Sequence, residues 1–248
     1  MNALLIPPLP SSANGRFLLP WSREKWRPPL ANFETLKARN TGEWKSYCEH
    51  AFVRALADGT LRQEAFRHYL KQDYLFLIQF ARAWGLAVYK SRNLSEIRQG
   101  LASLKAIVDV EIGLHVSFCA NWGIGEKDLE TLPESRATMA YTRYVLDAGM
   151  SGDLLDLHVA LAPCIVGYGD IARWIMEQPF TRLEGNPYRS WIEMYAGTEY
   201  QSLVKAEVDW LDNMLSRVDD ARIDTLSGVF RGATRLEADF WQMGLDLA

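Results

Sequence analysis

The stretch RQEAFRHYLKQDYLFLIQFARAWGLAVYKS, residues 62–91, decides the fold class of this chain. Its apolar residues recur at intervals of three and four, which is the period of an α-helix and not the two-residue alternation of a β-strand. One face of the predicted helix carries Leu70, Asp73, Tyr74, Leu77, Phe80, Ala81, Trp84 and Val88. A carboxylate on such a face is costly to bury, so Asp73 is the first candidate site residue.

The helical period continues along the rest of the chain. It predicts helices over about 41–58, 62–91, 95–122, 134–147, 152–178, 187–217 and 222–246. The first of these is expected to stop at Gly59, Ser95 is the predicted N-cap of the third, and a break is expected near Gly197. Neither a sustained two-residue alternation nor a hairpin signal is present. We therefore predict a single all-α domain of about seven helices over residues 31–248. Residues 1–30 hold six of the ten prolines, which predicts an extended or partly disordered proline-rich extension.

Composition excludes several function classes. The formal net charge of −4 over 248 residues gives no electrostatic basis for binding nucleic acid or an anionic membrane, so neither is expected as a partner. The three cysteines form no CxxC pair, which argues against a disulfide framework or a zinc site and fits a reducing cytoplasm. The first residues, MNALLIPPLPSS, lack the positive region of a signal peptide. No uninterrupted apolar stretch reaches the ~18 residues that span a bilayer.

Two further reactive side chains lie in apolar helical stretches. Cys164 lies in LAPCIVGYG (161–169), one residue after Pro163, whose missing N–H predicts a kink. Glu237 lies in TRLEADFWQM (234–243). If these two residues and Asp73 converge, they favour nucleophilic catalysis with proton transfer on a flat polar ring. The structural alternatives are a cysteine that only fills the core and carboxylates that only form ion pairs with other helices.

Two Glu–His pairs at a spacing of four residues raise the question of a metal. Glu111 and His115 form one pair, and Glu64 and His68 form the other. The di-iron sites of helical bundles use a spacing of three together with further glutamates. We therefore predict structural Glu–His contacts, and neither a metal nor another cofactor.

Six stretches give the chain a family resemblance: HAFVRALADGTL (50–61), FRHYLKQDYLFL (66–77), AYTRYVLDAG (140–149), ALAPCIVGYG (160–169), NPYRSWIEMYAG (186–197) and ATRLEADFWQMGL (233–245). In this order and at these spacings, the chain resembles the TenA / thiaminase II family, the aminopyrimidine aminohydrolases, from about Trp44 to Met243. The resemblance implies a haem-oxygenase-like helical bundle that binds no haem and assembles as a homotetramer.

The resemblance also implies an activity and its residues. The activity is hydrolysis at the methylene carbon on C5 of a 4-amino-2-methylpyrimidine, which yields hydroxymethylpyrimidine for thiamin salvage, with thiamin itself hydrolysed more slowly. The family's nucleophile falls on Cys164, and its active-site aspartate and glutamate fall on Asp73 and Glu237. The positions that line the pyrimidine fall on Tyr141, Tyr168, Tyr195, Phe76 and Phe240.

The chain departs from the family pattern at two positions. Phe76 stands where some members have a tyrosine, which removes one hydroxyl, and Ala51 replaces a frequent proline. A non-catalytic pyrimidine- or thiamin-binding protein, or a regulator of the same fold, is the alternative function. The absence of a Lys/Arg cluster argues against direct DNA binding, and the presence of Cys164 argues for catalysis.

Overall fold

The computed structural model describes residues 30–248, and within that part of the chain it forms helices and no strand. The α-helices are α1 (Phe33–Arg39), α2 (Thr41–Cys48), α3 (Ala51–Asp58), α4 (Gln63–Lys90), α5 (Leu94–Ala106), α6 (Ile112–Ala120), α7 (Glu126–Glu130), α8 (Arg136–Ser151), α9 (Leu154–Ala162), α10 (Tyr168–Glu177), α11 (Arg189–Ala196), α12 (Thr198–Leu215) and α13 (Asp220–Asp246). Two π-helical segments join consecutive α-helices: π1 (Ile107–Glu111) between α5 and α6, and π2 (Pro163–Gly167) between α9 and α10. The predicted all-α class is confirmed.

The predicted count of about seven helices is too low, because several predicted helices contain breaks. The predicted helix over 41–58 is divided into α2 and α3 at His50, whose ring Nδ1 accepts a hydrogen bond from the backbone N–H of Phe52 and so caps a new helix. The predicted break near Gly197 is confirmed, since α11 ends at Ala196 and α12 begins at Thr198. The short helices α1 and α7 were not predicted.

Capping side chains explain where the helices begin. The predicted N-cap at Ser95 is wrong, because the Asn93 side chain accepts the backbone N–H of Glu96, so the N-cap lies two residues earlier than expected. Ser135 caps α8 by accepting the N–H of Thr138. Gly59 ends α3 as predicted, with a φ of 78° that favours glycine.

The long helix α4 lies in the middle of the bundle. It packs against α5, α6, α8 and α13, and its residues 72–77 are all buried. The sequence predicts one buried face, but over residues 72–77 the neighbouring helices enclose the whole circumference of α4. Asp73 is therefore held in the interior, only 4% exposed.

The apolar run Leu154–Glu177, formed by α9, π2 and α10, is the single candidate membrane span among the described residues. Length and composition alone qualify it, and 78% of its most apolar window is buried inside the protein. Such burial is the behaviour of a core helix in a bundle.

Residues 31–248 pack as one compact unit. The predicted proline-rich extension lies, except for Leu30, outside the described residues, and it stays a prediction.

Candidate active site

Cys164 lies on π2, where the α-helical hydrogen-bond pattern is interrupted. Pro163 begins this segment and has no N–H to donate, so the predicted irregularity beside the thiol takes the form of a change to π-helical pairing. Two tyrosines bind the carbonyl oxygens of the segment. The Tyr47 hydroxyl donates to the Pro163 carbonyl at 3.2 Å, and the Tyr200 hydroxyl donates to the Ile165 carbonyl at 3.0 Å. These contacts hold the backbone on either side of Cys164.

A cavity of about 180 Å³ opens beside Cys164. Its walls include Phe80 and Trp84 of α4, Ile107 and Glu111 of π1, Cys164 and Ile165 of π2, and Tyr200, Leu203 and Glu207 of α12. A second cavity, also of about 180 Å³, shares Glu111 and Tyr200 with the first and adds Tyr195. An apolar cavity of about 150 Å³ is known to hold benzene, so each cavity has room for one small ring.

Asp73 is bound on one oxygen and free on the other. Its Oδ2 accepts the Tyr69 hydroxyl at 3.0 Å and lies 2.6 Å from His115 Nε2. The other oxygen, Oδ1, has no protein hydrogen-bond partner in residues 30–248. The Asp73 carboxyl group is therefore oriented by the protein and retains one acceptor for a ligand.

Glu237 is 1% exposed and has one hydrogen bond, in which the Tyr141 hydroxyl donates to Oε1 at 2.9 Å. Burial raises the pKa of Glu237 to about 8, and the charge of Asp73 raises it further against the lowering effect of the Tyr141 hydroxyl. At neutral pH the carboxyl group is therefore mostly protonated. A buried protonated carboxyl is the state required of a general acid.

The electrostatic surroundings of Cys164 are negative. Burial raises the pKa of its thiol well above the usual value, and the charges of Glu237, Glu111 and Asp73 raise it further. All three carboxyl groups are therefore close enough to the thiol to act on it electrostatically. The resting group is therefore a thiol and not a thiolate, and it needs a base before it can attack.

The five predicted pocket rings form two groups. Phe76 stacks on Tyr141 with ring centroids 4.9 Å apart, and Phe240 packs against Phe76. Tyr168 and Tyr195 lie 5.0 Å apart in the second group. The hydroxyl oxygens of Tyr69 and Tyr168 lie 3.4 Å apart, and the Tyr69 ring packs edge-on against Phe240, so Tyr69 joins the two groups.

The predicted site residues differ in their access to the two cavities. Cys164 lines the first cavity and Tyr195 lines the second. Asp73 and Glu237 are buried outside the cavity walls, as are Phe76, Tyr141, Tyr168 and Phe240. The structure thus brings the thiol and the carboxyl groups into one electrostatic cluster, with the thiol at the cavity surface.

Sequence reasoning missed three features of the site. Tyr200, which braces π2 and lines both cavities, gave no signal in the sequence. Glu111 and His115 were predicted to make a structural contact, and His115 Nδ1 does lie 2.9 Å from the Glu111 carbonyl oxygen, but the contact of His115 Nε2 with Asp73 was not predicted. In the other pair, His68 contacts the Ala248 carbonyl oxygen and not Glu64. Within residues 30–248 no three His, Cys, Asp or Glu side chains are grouped so as to hold a metal ion.

Comparisons of the sequence with a family model and with individual proteins indicate the same family. Residues 38–247 match the TENA/THI-4/PQQC family. A Haemophilus influenzae protein described as uncharacterized is 44% identical over 205 residues, which cover 83% of this chain and 94% of the relative. The aminopyrimidine aminohydrolase of Halalkalibacterium halodurans is 33% identical over 214 residues, which cover 81% of this chain and 89% of that enzyme.

Solved structures agree with the fold. A protein from Silicibacter described as a TenA family transcription regulator has a TM-score of 0.81 and 43% identity, covering 86% of this chain and 96% of the other. A Shewanella denitrificans domain of unknown function, described as having a heme oxygenase-like fold, has a TM-score of 0.66 at 14% identity, covering 88% of this chain and 93% of the other. The second likeness shows the fold alone, and the predicted haem-oxygenase-like bundle is confirmed.

Proposed function

The chain belongs to the TENA/THI-4/PQQC family, and from that membership and the geometry around Cys164 we propose that it is an aminopyrimidine aminohydrolase. The reaction replaces the amine on the C5 methylene of a 4-amino-2-methylpyrimidine by the hydroxyl of water, giving hydroxymethylpyrimidine for thiamin salvage. The observation that carries the proposal is the cluster of one cavity-lining thiol, a buried carboxyl with a pKa of about 8 and an oriented aspartate.

Each member of the cluster has a role in this proposal. Asp73 accepts a hydrogen bond from the exocyclic amine of the substrate through its free Oδ1. Glu237, protonated at neutral pH, donates to a ring nitrogen and then takes the proton from the Cys164 thiol, so that it ends the step protonated again. The sulfur adds to a ring carbon at the same time. In total, the thiol proton moves to Glu237, a proton is gained by the ring nitrogen, and the sulfur is bonded to a ring carbon. Glu237 thus serves as the base that the thiol requires.

Loss of the amine follows from that addition. The ring is no longer aromatic, and its electron pair expels the protonated aminomethyl nitrogen as ammonia. Water adds to the exposed methylene carbon, and the proton that it loses goes to the ammonia. Cys164 then leaves as a thiol, because the proton on the ring nitrogen returns to the sulfur through Glu237, and the ring becomes aromatic again. The overall change is R–CH₂–NH₃⁺ plus water to R–CH₂–OH plus NH₄⁺. The rings of Phe76, Tyr141, Tyr168, Tyr195 and Phe240 hold the pyrimidine and exclude bulk water.

The cavity chemistry supports one order of substrate preference. Among the described residues that line the two cavities, none is Lys, Arg or His. A diphosphate brought near several carboxylates without a cationic partner is desolvated and repelled. We expect 4-amino-5-aminomethyl-2-methylpyrimidine to be hydrolysed better than thiamin, and thiamin diphosphate to be a poor substrate.

A comparison of kcat/KM for the three compounds tests the function. Release of ammonia and hydroxymethylpyrimidine from the aminomethyl compound is the expected result. A preference for thiamin diphosphate would contradict the assigned cavity. Tight binding of all three without turnover would favour the alternative, a non-catalytic pyrimidine-binding or regulatory protein.

We also propose that the protein assembles as a homotetramer in the cytoplasm. The family resemblance implies a homotetramer, and the apolar side chains available to such an interface include Leu101, Val108, Val110 and Leu203, each about half exposed. Analytical ultracentrifugation of the full chain tests the tetramer, and a monomer at micromolar concentration would contradict it. A cytoplasmic location and the lack of cofactor, nucleic-acid and membrane partners stay predictions.

A further inference from the structure

Glu111 is a carboxylate at the cavity surface that the reaction described above does not use. It ends π1 and lines both cavities. The Tyr195 hydroxyl donates to its Oε1 at 3.1 Å, while Oε2 has no hydrogen-bond partner in the part of the chain that the structure describes. One oxygen of Glu111 is thus oriented by the protein and the other is available to a ligand.

Glu111 lies close to the thiol of Cys164. Both side chains line the first cavity, and the charge of Glu111 is one of those that raise the pKa of Cys164. When Cys164 attacks the ring of a substrate in the first cavity, Glu111 therefore lies close to that substrate. The C5 substituent projects from that ring.

The other carboxylate that lines the first cavity already has a protein partner. Glu207 lines the first cavity, but its Oε1 lies 2.7 Å from His158 Nδ1, and both side chains are buried. The described cavity walls supply no basic side chain to Glu111. Glu111 is thus the carboxylate of the first cavity that remains open to a cationic ligand.

We propose that Glu111 determines specificity by pairing with a cationic substituent on C5 of the pyrimidine, so that the enzyme selects ammonium-bearing substrates over neutral and anionic ones. This role rests on the proposed function. The hydrogen bond from the substrate ammonium group to the Glu111 carboxylate is charge-assisted, and it is strong because the cavity is largely apolar. A neutral hydroxymethyl group cannot form a bond of this kind. An anionic substituent on C5 is repelled by the negative charge of Glu111. After the reaction the product is neutral, so the same contact no longer holds it in the site.

Three ligands that differ only at C5 test this role without mutating Glu111. The 5-aminomethyl, 5-hydroxymethyl and 5-carboxylate derivatives of 4-amino-2-methylpyrimidine carry a cation, a neutral group and an anion of similar size. Their dissociation constants are measured by calorimetry on the Cys164→Ser protein, which blocks turnover. The aminomethyl compound should bind about tenfold or more tightly than the hydroxymethyl compound, and the carboxylate most weakly. Equal binding, or tighter binding of the carboxylate, overturns the proposal.

A matched pair of variants then assigns the selectivity to one residue. Glu111→Gln in the Cys164→Ser background keeps the shape and an acceptor for Tyr195 but removes the charge. It should reduce the aminomethyl-to-hydroxymethyl preference by about tenfold while changing hydroxymethyl binding little. Glu199→Gln, at an exposed position lining the second cavity, is the control and should leave the preference intact.

The outcomes separate this role from the function on which it rests. Equal weakening of both ligands by Glu111→Gln indicates a structural role and overturns the proposal, as does an unchanged preference. Failure of all three ligands to bind the Cys164→Ser protein contradicts the aminopyrimidine function itself, and with it the role of Glu111.

Discussion

His115 Nε2 lies 2.6 Å from Asp73 Oδ2, and both side chains are buried. The other ring nitrogen, Nδ1, lies 2.9 Å from the Glu111 carbonyl oxygen, which can only accept, so Nδ1 carries a proton. One further proton must then lie between Nε2 and Oδ2. Burial alone would lower the pKa of His115, but the Asp73 carboxylate and Glu111 raise it above its usual value. The raised pKa favours the imidazolium form of His115, and its hydrogen bond orients Asp73.

His115→Gln should destabilise the protein by about 3 to 5 kcal/mol near pH 6, because it leaves a buried carboxylate without its charged partner. Since the pKa of His115 is raised in the folded state, its stabilisation is complete below the unfolded value of about 6.5 and is lost as pH rises through the folded value. Urea unfolding at pH 6 and pH 9 checks the sign, with His68→Gln as the control. An equal loss at both pH values would contradict the ion pair.

Glu237→Gln should abolish most activity and flatten the dependence of stability on pH. The unfolded carboxyl ionises near pH 4.3 and the folded one near about 8, so the wild-type free energy of unfolding falls across that window by on the order of 1 kcal/mol per pH unit. Glutamine cannot ionise, so the variant should be the more stable protein at pH 8. Thermal melts from pH 5 to 8 measure this, and parallel curves for both proteins would refute the raised pKa.

Gly167→Ala tests the packing of π2. An added Cβ would lie 2.3 Å from the Tyr47 ring, whose hydroxyl binds the Pro163 carbonyl. Such overpacking costs about 1 to 3 kcal/mol, and displacement of the segment should lower activity. Gly228→Ala on α13 is the matched control, because its Cβ meets nothing within 4 Å and it should be neutral or stabilising by up to about 1 kcal/mol. Equal stability of the two variants in urea would show that Tyr47 does not constrain π2.

Alkylation of Cys164 should be slow at pH 7 and accelerate as pH rises, because its thiol pKa is raised by burial and by nearby carboxylates. Cys164 is only partly buried, whereas Cys48 and Cys119 are buried, so it should be modified first. At pH 9, where Glu237 is ionised, Glu237→Gln should speed the modification by removing a negative charge. Iodoacetamide with mass spectrometry measures the rates. Fast modification at pH 7 would show a thiolate and contradict the negative surroundings.

Local patterns in the sequence predicted the features that depend on local chemistry. Pro163 predicted the irregularity beside the thiol, and Gly59 predicted a helix end, because each effect arises in the backbone of that residue. Apolar periodicity predicted the all-α class. The cap at Asn93 was missed because Ser95, two residues later, is an equally suitable type.

Contacts between distant residues could not be predicted in this way. Asp73 and His115 are 42 positions apart, and His158 and Glu207 are 49 apart. Such pairs depend on how whole helices pack, which periodicity does not specify. Apolar helical patterning and the family resemblance both indicated Asp73, Cys164 and Glu237 as site residues, but the position of Glu111 at the cavity surface is seen only in the three-dimensional structure.

The most direct test of the central claim is ammonia release from 4-amino-5-aminomethyl-2-methylpyrimidine by the wild-type protein, Cys164→Ser and Cys119→Ser. Cys119 is a buried cysteine on α6 and is the matched control. The wild-type protein and Cys119→Ser should turn over at the same rate, and each should release one ammonia per hydroxymethylpyrimidine. Cys164→Ser should lose about a thousandfold or more in kcat and still bind the pyrimidine. Wild-type turnover by Cys164→Ser would contradict the role of Cys164 as the nucleophile, and no turnover by any of the three proteins would contradict the proposed function.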